Sequence, residues 1–167
     1  MSGYLALALS VGVLAVLDTW LYIGPLSTTI LAGLIWISFI AWGCHFHSGA
    51  GVKGCTTSIV GMSFGALVGM AAVMLAGGPL AGLGDFAAPV AVGLGAFVIC
   101  LASKIPPLAT IPASVYGFAS IAGPILLAGL APQDAILPTI ASVVIGAVFG
   151  IVSEKLAEVL TKKAPAA

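Results

Sequence analysis

Six apolar runs, at about residues 4–23, 27–44, 55–77, 86–103, 110–130 and 136–158, take up almost the whole chain. Each is close to the roughly 20 residues a helix needs to cross the hydrocarbon core of a bilayer. The joints between them are short and polar or rich in Gly and Pro: Gly24-Pro25, His45 to Gly54, Gly78 to Asp85, Lys104 to Pro107, and Ala131 to Asp134. Joints of this size leave no room for an extramembrane catalytic domain. A water-soluble alternative fails on surface chemistry, because 61% of the 167 residues are hydrophobic and only 6% charged, where a soluble domain is about 25% charged. The expected fold is therefore an all-α membrane protein, a single integral membrane domain over 1–167 with six transmembrane helices.

The few charges set the orientation. Cytoplasmic loops collect Lys and Arg, whereas acidic residues count for little. Lys53 follows the second run, Lys104 the fourth, and Lys155, Lys162 and Lys163 end the sixth, so all five lysines fall on one side. Asp85 and Asp134 fall on the other. Removing any one span would scatter the lysines over both faces, so the count of six has support independent of hydropathy. Both termini are expected in the cytoplasm. Nothing before Asp18 is charged, so the first run lacks the positive start of a cleaved signal peptide and is read as a retained helix. Cys44, Cys55 and Cys100 lie at the cytoplasmic ends of their spans, where thiols stay reduced, and no disulfide is expected.

Laid over itself at an offset of 81 residues, the sequence matches without a gap at 17 of 74 positions, 4–77 on 85–158. Composition alone would give roughly a tenth. Val11-Gly12 meets Val92-Gly93, Thr29-Ile30-x-Ala32 meets Thr110-Ile111-x-Ala113, and Gly65-Ala66-x-x-Gly69 meets Gly146-Ala147-x-x-Gly150. Each half carries three spans, an odd number, so the second half enters the membrane from the opposite side. Two inverted three-helix repeats are the arrangement many transporters use to build a path at the repeat interface.

Several residues are candidates for function. Gly61, Gly65 and Gly69 in span 3, and Gly146 and Gly150 in span 6, have the four-residue spacing that lets membrane helices approach closely; the same spacing serves packing alone. Pro112 is expected to break or kink span 5. An interrupted span paired with its counterpart in the other half points to a solute path, which would be lined by Thr28, Thr29, Trp36, Thr110, Ser114, Tyr116 and Ser120. Their hydroxyls have an alternative use, bonding back to their own helix. Asp18 is the one acid well inside a span, an intramembrane ionisable group and hence a candidate coupling site; Trp20 and Tyr22 beside it also fit an interfacial belt, with Asp18 reaching headgroup water. His45 and His47 are a candidate cytoplasmic gate. Cys44-His45-x-His47 is not a zinc-site spacing, so no metal and no cofactor is expected.

Arg is absent, which leaves no guanidinium for phosphate and no basic stripe for nucleic acid. No hydrolase, metalloprotease or P-loop motif occurs, and no enzymatic activity is expected. The segments Gly51-Val52-Lys53-Gly54, IPASVYGFASIAG from Ile111 to Gly123, and PTIASVVIGAVFG from Pro138 to Gly150 resemble the small bacterial inner-membrane proteins of the domain-of-unknown-function family numbered 1097. The resemblance runs over almost the whole chain and implies a polytopic bacterial inner-membrane protein; it brings no functional residues with it. The function expected from the residues is a channel or facilitator for a small, mostly neutral solute; the alternatives are, first, a proton-coupled secondary transporter using Asp18 and, second, a structural or regulatory subunit that transports nothing. A homo-oligomer is expected in each case, since six thin helices make a small protomer.

Overall fold

The computed structural model describes residues 1–162, so Lys163 lies outside the described residues. Six α-helices are present: α1 (Gly3–Ile23), α2 (Ile35–His47), α3 (Gly51–Gly77), α4 (Ala87–Ala102), α5 (Ile111–Leu126) and α6 (Pro132–Lys162), with no strand among the described residues. Short 3-10 turns at Pro25–Thr28, Ala81–Phe86 and Pro106–Leu108 occupy three of the joints.

Four helical stretches are long and apolar enough to cross a membrane: Gly3–Thr28, Gly51–Gly77, Ala81–Ala102 and Pro132–Thr161. The second and fifth runs differ from the sequence expectation. α2 has 13 residues and α5 has 16, about 20 and 24 Å at 1.5 Å per residue, against a core of about 30 Å. Both are preceded by non-helical chain. Before α2, the Ser27 and Thr29 hydroxyls donate to the carbonyls of Gly24 and Leu26 at 2.7 and 2.8 Å, and Gly33 takes a positive φ of 73°; local bonds of this kind compete with a helix. Span 5 is interrupted ahead of α5, at Ile105 to Thr110, and Pro112 sits in the first turn of the helix, where its missing N–H has no helical partner to lose. So Pro112 starts α5 instead of kinking it.

α3 and α6 pack against each other at the centre. α5 lies along α3, α2 along α6, α4 on the outer side of α3 and α1 on the outer side of α6. Small residues set these approaches. A Cβ at Gly65 would overlap the Ser114 carbonyl, and one at Gly117 the Met62 carbonyl, so α3 and α5 meet backbone to backbone. At Gly146 a Cβ would overlap the Ser38 carbonyl, and at Gly150 it would lie 2.5 Å from the His45 ring, which brings α2 equally close to α6. Where lipid gives no hydrophobic drive for association, such contacts are the main source of packing energy. The outer helices leave apolar side chains such as Leu5, Val13, Val16, Leu94, Phe97 and Leu101 exposed, as contact with lipid requires.

Candidate functional site

Polar side chains collect in the seam where α1, α2 and α6 meet. α1 buries one residue in every four, Ala6, Ser10, Leu14, Asp18 and Tyr22, which is one face of the helix. Asp18 is 0% exposed. Its Oδ2 accepts the Ser38 hydroxyl proton at 2.8 Å, and its Oδ1 has no partner. Among the described residues no lysine or histidine pairs with it. Tyr22, one turn further on, is buried with a hydroxyl that has no hydrogen-bond partner. Thr139 and Ser142 on α6 are also fully buried with unpaired hydroxyls. A cluster of buried groups with spare donors and an unpaired carboxylate oxygen is a costly arrangement, and such sites deserve a functional explanation.

Along the seam towards the lysine-bearing end, the Trp42 indole N–H donates to Ser153 Oγ at 3.1 Å, and that hydroxyl donates to the Gly150 carbonyl at 2.7 Å. Ser10 donates to the Ser153 carbonyl at 2.7 Å. Trp42 packs with Leu14 and Phe149. At the end of the seam, His45 Nε2 is 2.9 Å from Glu154 Oε2, which also accepts the Gly51 N–H at 2.8 Å.

The structure thus separates residues that the sequence grouped and joins others. Asp18 is sealed in protein and does not reach headgroup water; Tyr22, at 2% exposure, belongs to the core beside Leu31 and Leu34 and not to an interfacial belt, whereas Trp20 is exposed. The residues expected to line a path between spans 2 and 5 are dispersed. Thr28 and Thr29 are exposed on the turn before α2. Trp36 covers Gly123, Ser114 is buried against Gly65, and Ser120 is buried with its hydroxyl unpaired. Thr110 lines a groove of about 660 Å³ with Lys53, Thr56 and Pro106. Tyr116 stands edge-on to His47, ring centres 5.9 Å apart, and His47 is exposed while His45 is buried. Gly61, Gly65 and Gly69 face α5, and Gly146 and Gly150 face α2. Sequence reasoning did not single out Ser10, Ser38, Trp42, Ser142, Ser153 or Glu154. The signal was available on α6, where Ser142, Gly146, Gly150 and Ser153 recur at helical spacing as one row of small residues, half of them polar.

A second feature lies at the opposite end. A cavity of about 500 Å³ opens between α3, α4 and α5, lined by small and apolar side chains including Ala72, Val73, Ala91, Phe118 and Ile121, with Asp85 among its lining residues.

Long apolar helices around a buried polar seam define a multi-pass, all-helical membrane protein. The chain belongs to the family described as Protein of unknown function (DUF1097), which matches residues 8–158, in line with the resemblance its motifs carry. Neither a curated protein nor a solved structure matches it.

Proposed function

We propose that the chain is a proton-coupled transporter of a small, mostly neutral solute in a bacterial inner membrane, with Asp18 as the coupling carboxyl. The observation that carries this reading is the state of Asp18: fully buried, held by one hydroxyl, with one oxygen unpaired and, among the described residues, no ion pair to a cation. Ionisable groups inside membrane helices are expensive and mark ion and proton pathways. A carboxyl wedged between α1 and α2 couples proton binding to the packing of those helices. The passive-facilitator reading lacks a comparable observation, because the hydroxyls that would line its path are dispersed among helix contacts and an exposed turn.

Inverted repeats support the same reading. The buried face of α1, Ala6, Ser10, Leu14 and Asp18, recurs 81 residues later as Ala87, Ala91, Gly95 and Ile99 on α4. On α3, Gly54, Ser58, Gly61, Met62, Gly65, Ala66, Gly69 and Ala72 are buried, and so are all eight residues 81 positions on in α6. The middle helices depart from the gapless alignment. Gly65 packs on Ser114 where Gly146 packs on Ser38, an offset of 76, because the non-helical lead-in to α2 is longer than that to α5. Helix pairing follows the same exchange: α3 with α5 and α6 with α2, α3 with α4 and α6 with α1. On this reading the short helices α2 and α5 cross together with their lead-ins, six crossings place Lys53, Lys104 and Lys155 in the cytoplasm, and the exposed faces of α1 and α4 meet lipid or a second copy of the chain.

The test is reconstitution into liposomes with a pH dye trapped inside and an imposed proton gradient, using glycerol, urea and small sugar alcohols as probes. One probe should accumulate with lumenal pH change, and Asp18→Asn should abolish both while leaving the protein folded. Gradient-driven uptake that survives in Asp18→Asn overturns the coupling role, and no flux of any probe together with co-purification of a defined complex favours the subunit reading.

A further inference from the structure

Resting on the transporter reading above, we propose that Glu154, His45 and the Gly51 amide form a closed gate at the lysine-bearing end of the protein, and that the cavity among α3, α4 and α5 is the repeat-related gate standing open at the other end.

Three helices meet on one carboxylate. Glu154 belongs to α6, its Oε2 holds the His45 ring of α2, and the same oxygen caps the first amide of α3. His45 has no freedom to leave while this holds. Its carbonyl accepts the Ala50 N–H at 3.0 Å, Gly150 gives just enough room for the ring, and Nδ1, beside Gly54, has no partner. The titratable groups on the elements packed around it are Tyr4, Asp18 and Tyr22 of α1, Cys44 and His47 of α2, Lys53 and Cys55 of α3, and Asp134, Glu154, Lys155, Glu158 and Lys162 of α6; among the described residues Glu154 alone bonds the ring. Glu154 is 24% exposed and lines an open cavity of about 410 Å³ with Gly3, Leu7, Ala157, Glu158 and Thr161. It therefore stands between water and the seam. Beneath it Trp42, fixed by Ser153, Leu14 and Phe149, is a second plug between His45 and Asp18.

The repeat-related positions lack every part of this closure. Val73 stands for Glu154, Ile121 for His45, Phe118 for Trp42, Ala72 for Ser153 and Ala91 for Ser10, and all five line the 500 Å³ cavity. Pro132, which stands for Gly51, has no N–H to give. One end of the molecule is thus tied by charge-assisted hydrogen bonds, the stronger kind, while the other has nothing to tie and is open. A transporter of two inverted halves rocks between states that differ in this way. Removing the Glu154 charge, which weakens both bonds, should release the tied end and close the other.

Cys44, the α2 residue immediately before His45, is a built-in reporter at 1% exposure. The full-length protein with Cys55→Ser and Cys100→Ser, in oriented proteoliposomes, is treated with a membrane-impermeant maleimide from the lysine-bearing face. Cys44 should react at least tenfold faster in Glu154→Gln than with Glu154 intact. In a chain without native cysteines, Ala72→Cys should react from the opposite face and become protected in Glu154→Gln, a change at the far end that local loosening would not cause. His45→Gln is the second variant should Glu154→Gln not fold, with the same two outcomes expected. Equal Cys44 rates with and without Glu154, or Ala72→Cys labelling that ignores Glu154, overturns the gate. The labelling needs neither solute nor proton gradient. If Asp18→Asn keeps coupled uptake while Glu154→Gln opens the seam, the coupling role fails and the gate stands; the reverse pair of results sinks the gate and leaves the coupling role in place.

Discussion

Replacing Gly65 by Ala tests the claim that glycine rows hold this protein together. A Cβ at Gly65 would stand 2.6 Å from the Ser114 carbonyl carbon and 2.9 Å from the Phe118 amide nitrogen. Both atoms are backbone and the Ser114 carbonyl oxygen lies closer still, so no side chain can rotate away and α5 must retreat by at least about 1 Å to reach ordinary contact distances of about 3.5 Å. A gap of that size forfeits roughly a quarter to a half of each dispersion contact nearby, and Gly61, Gly69 and Gly117 lie on the same interface. Overpacking of this kind costs about 1–3 kcal/mol; with immovable backbone the upper end applies. Alanine recovers about 0.5–1 kcal/mol over glycine inside a helix, so the net loss is about 2 kcal/mol. Gly12→Ala is the control, since nothing lies within 4 Å of a Cβ there, and it should gain that half to one kcal/mol. Reversible unfolding in mixed micelles, followed by tryptophan fluorescence, should separate the two alanine variants by about 3 kcal/mol on the same reasoning. Gly65→Ala at or above the parent stability would refute the backbone contact. Gly146→Ala should match Gly65→Ala in size, because its Cβ would lie 2.7 Å from the Ser38 carbonyl carbon, and should in addition disturb the Asp18 site.

Ser38→Ala removes the donor to Asp18 and leaves a buried carboxyl without a partner, so stability should fall by about 1–3 kcal/mol; the same micelle titration checks it, and no change would mean that water reaches Asp18. Trp42→Phe keeps the aromatic packing on Phe149, whose ring centre is 5.5 Å away, and loses one hydrogen bond to Ser153, a cost of about 1 kcal/mol. Trp42→Ala should cost about 3–5 kcal/mol as a core truncation, and equal effects of the two would remove the case for Trp42 as a plug. Lys155→Ala breaks the exposed pair with Glu158, 3.2 Å apart, and should shift stability by less than about 0.5 kcal/mol while leaving the labelling rate of Cys44 unchanged.

Helix number and the two glycine rows were legible in the sequence because each depends on local spacing and apolarity. The late start of α2 was not legible from hydropathy, since residues 27–44 read as one apolar run. What interrupts the helix there is a run of hydroxyls that bond their own turn, a matter of geometry that an apolarity scale does not register. Asp18 was legible as an ionisable residue in a span, and its depth was not, because Trp20 and Tyr22 carry the same interfacial signal although the structure points one outwards and packs the other into the core. Glu154 escaped notice for a different reason. It lies near the charged end of α6, next to Lys155 and four residues before Glu158, in company that reads as a solvated helix end, and its bonds come from residues more than a hundred positions away.

If the halves are inverted repeats, as proposed, the repeat alone could not locate the candidate site. A shared backbone plan needs small residues at matching places, and these are the positions that match: Gly65 with Gly146, Ala66 with Ala147, Gly69 with Gly150. On the proposed function, the chemistry depends on the positions that differ. Asp18 opposite Ile99, Ser10 opposite Ala91, Ser153 opposite Ala72 and Glu154 opposite Val73 place these hydrogen-bonding groups in one seam and apolar side chains at the matching positions of the other. If both seams carried the polar set, each end would be tied by its own Glu and His, and opening either would break the same bonds. On the proposed transporter reading, with this set in one seam only, the free energy of the two ends differs by what its contacts contribute in one state, and a proton or solute acting on that seam has a defined direction in which to shift the population.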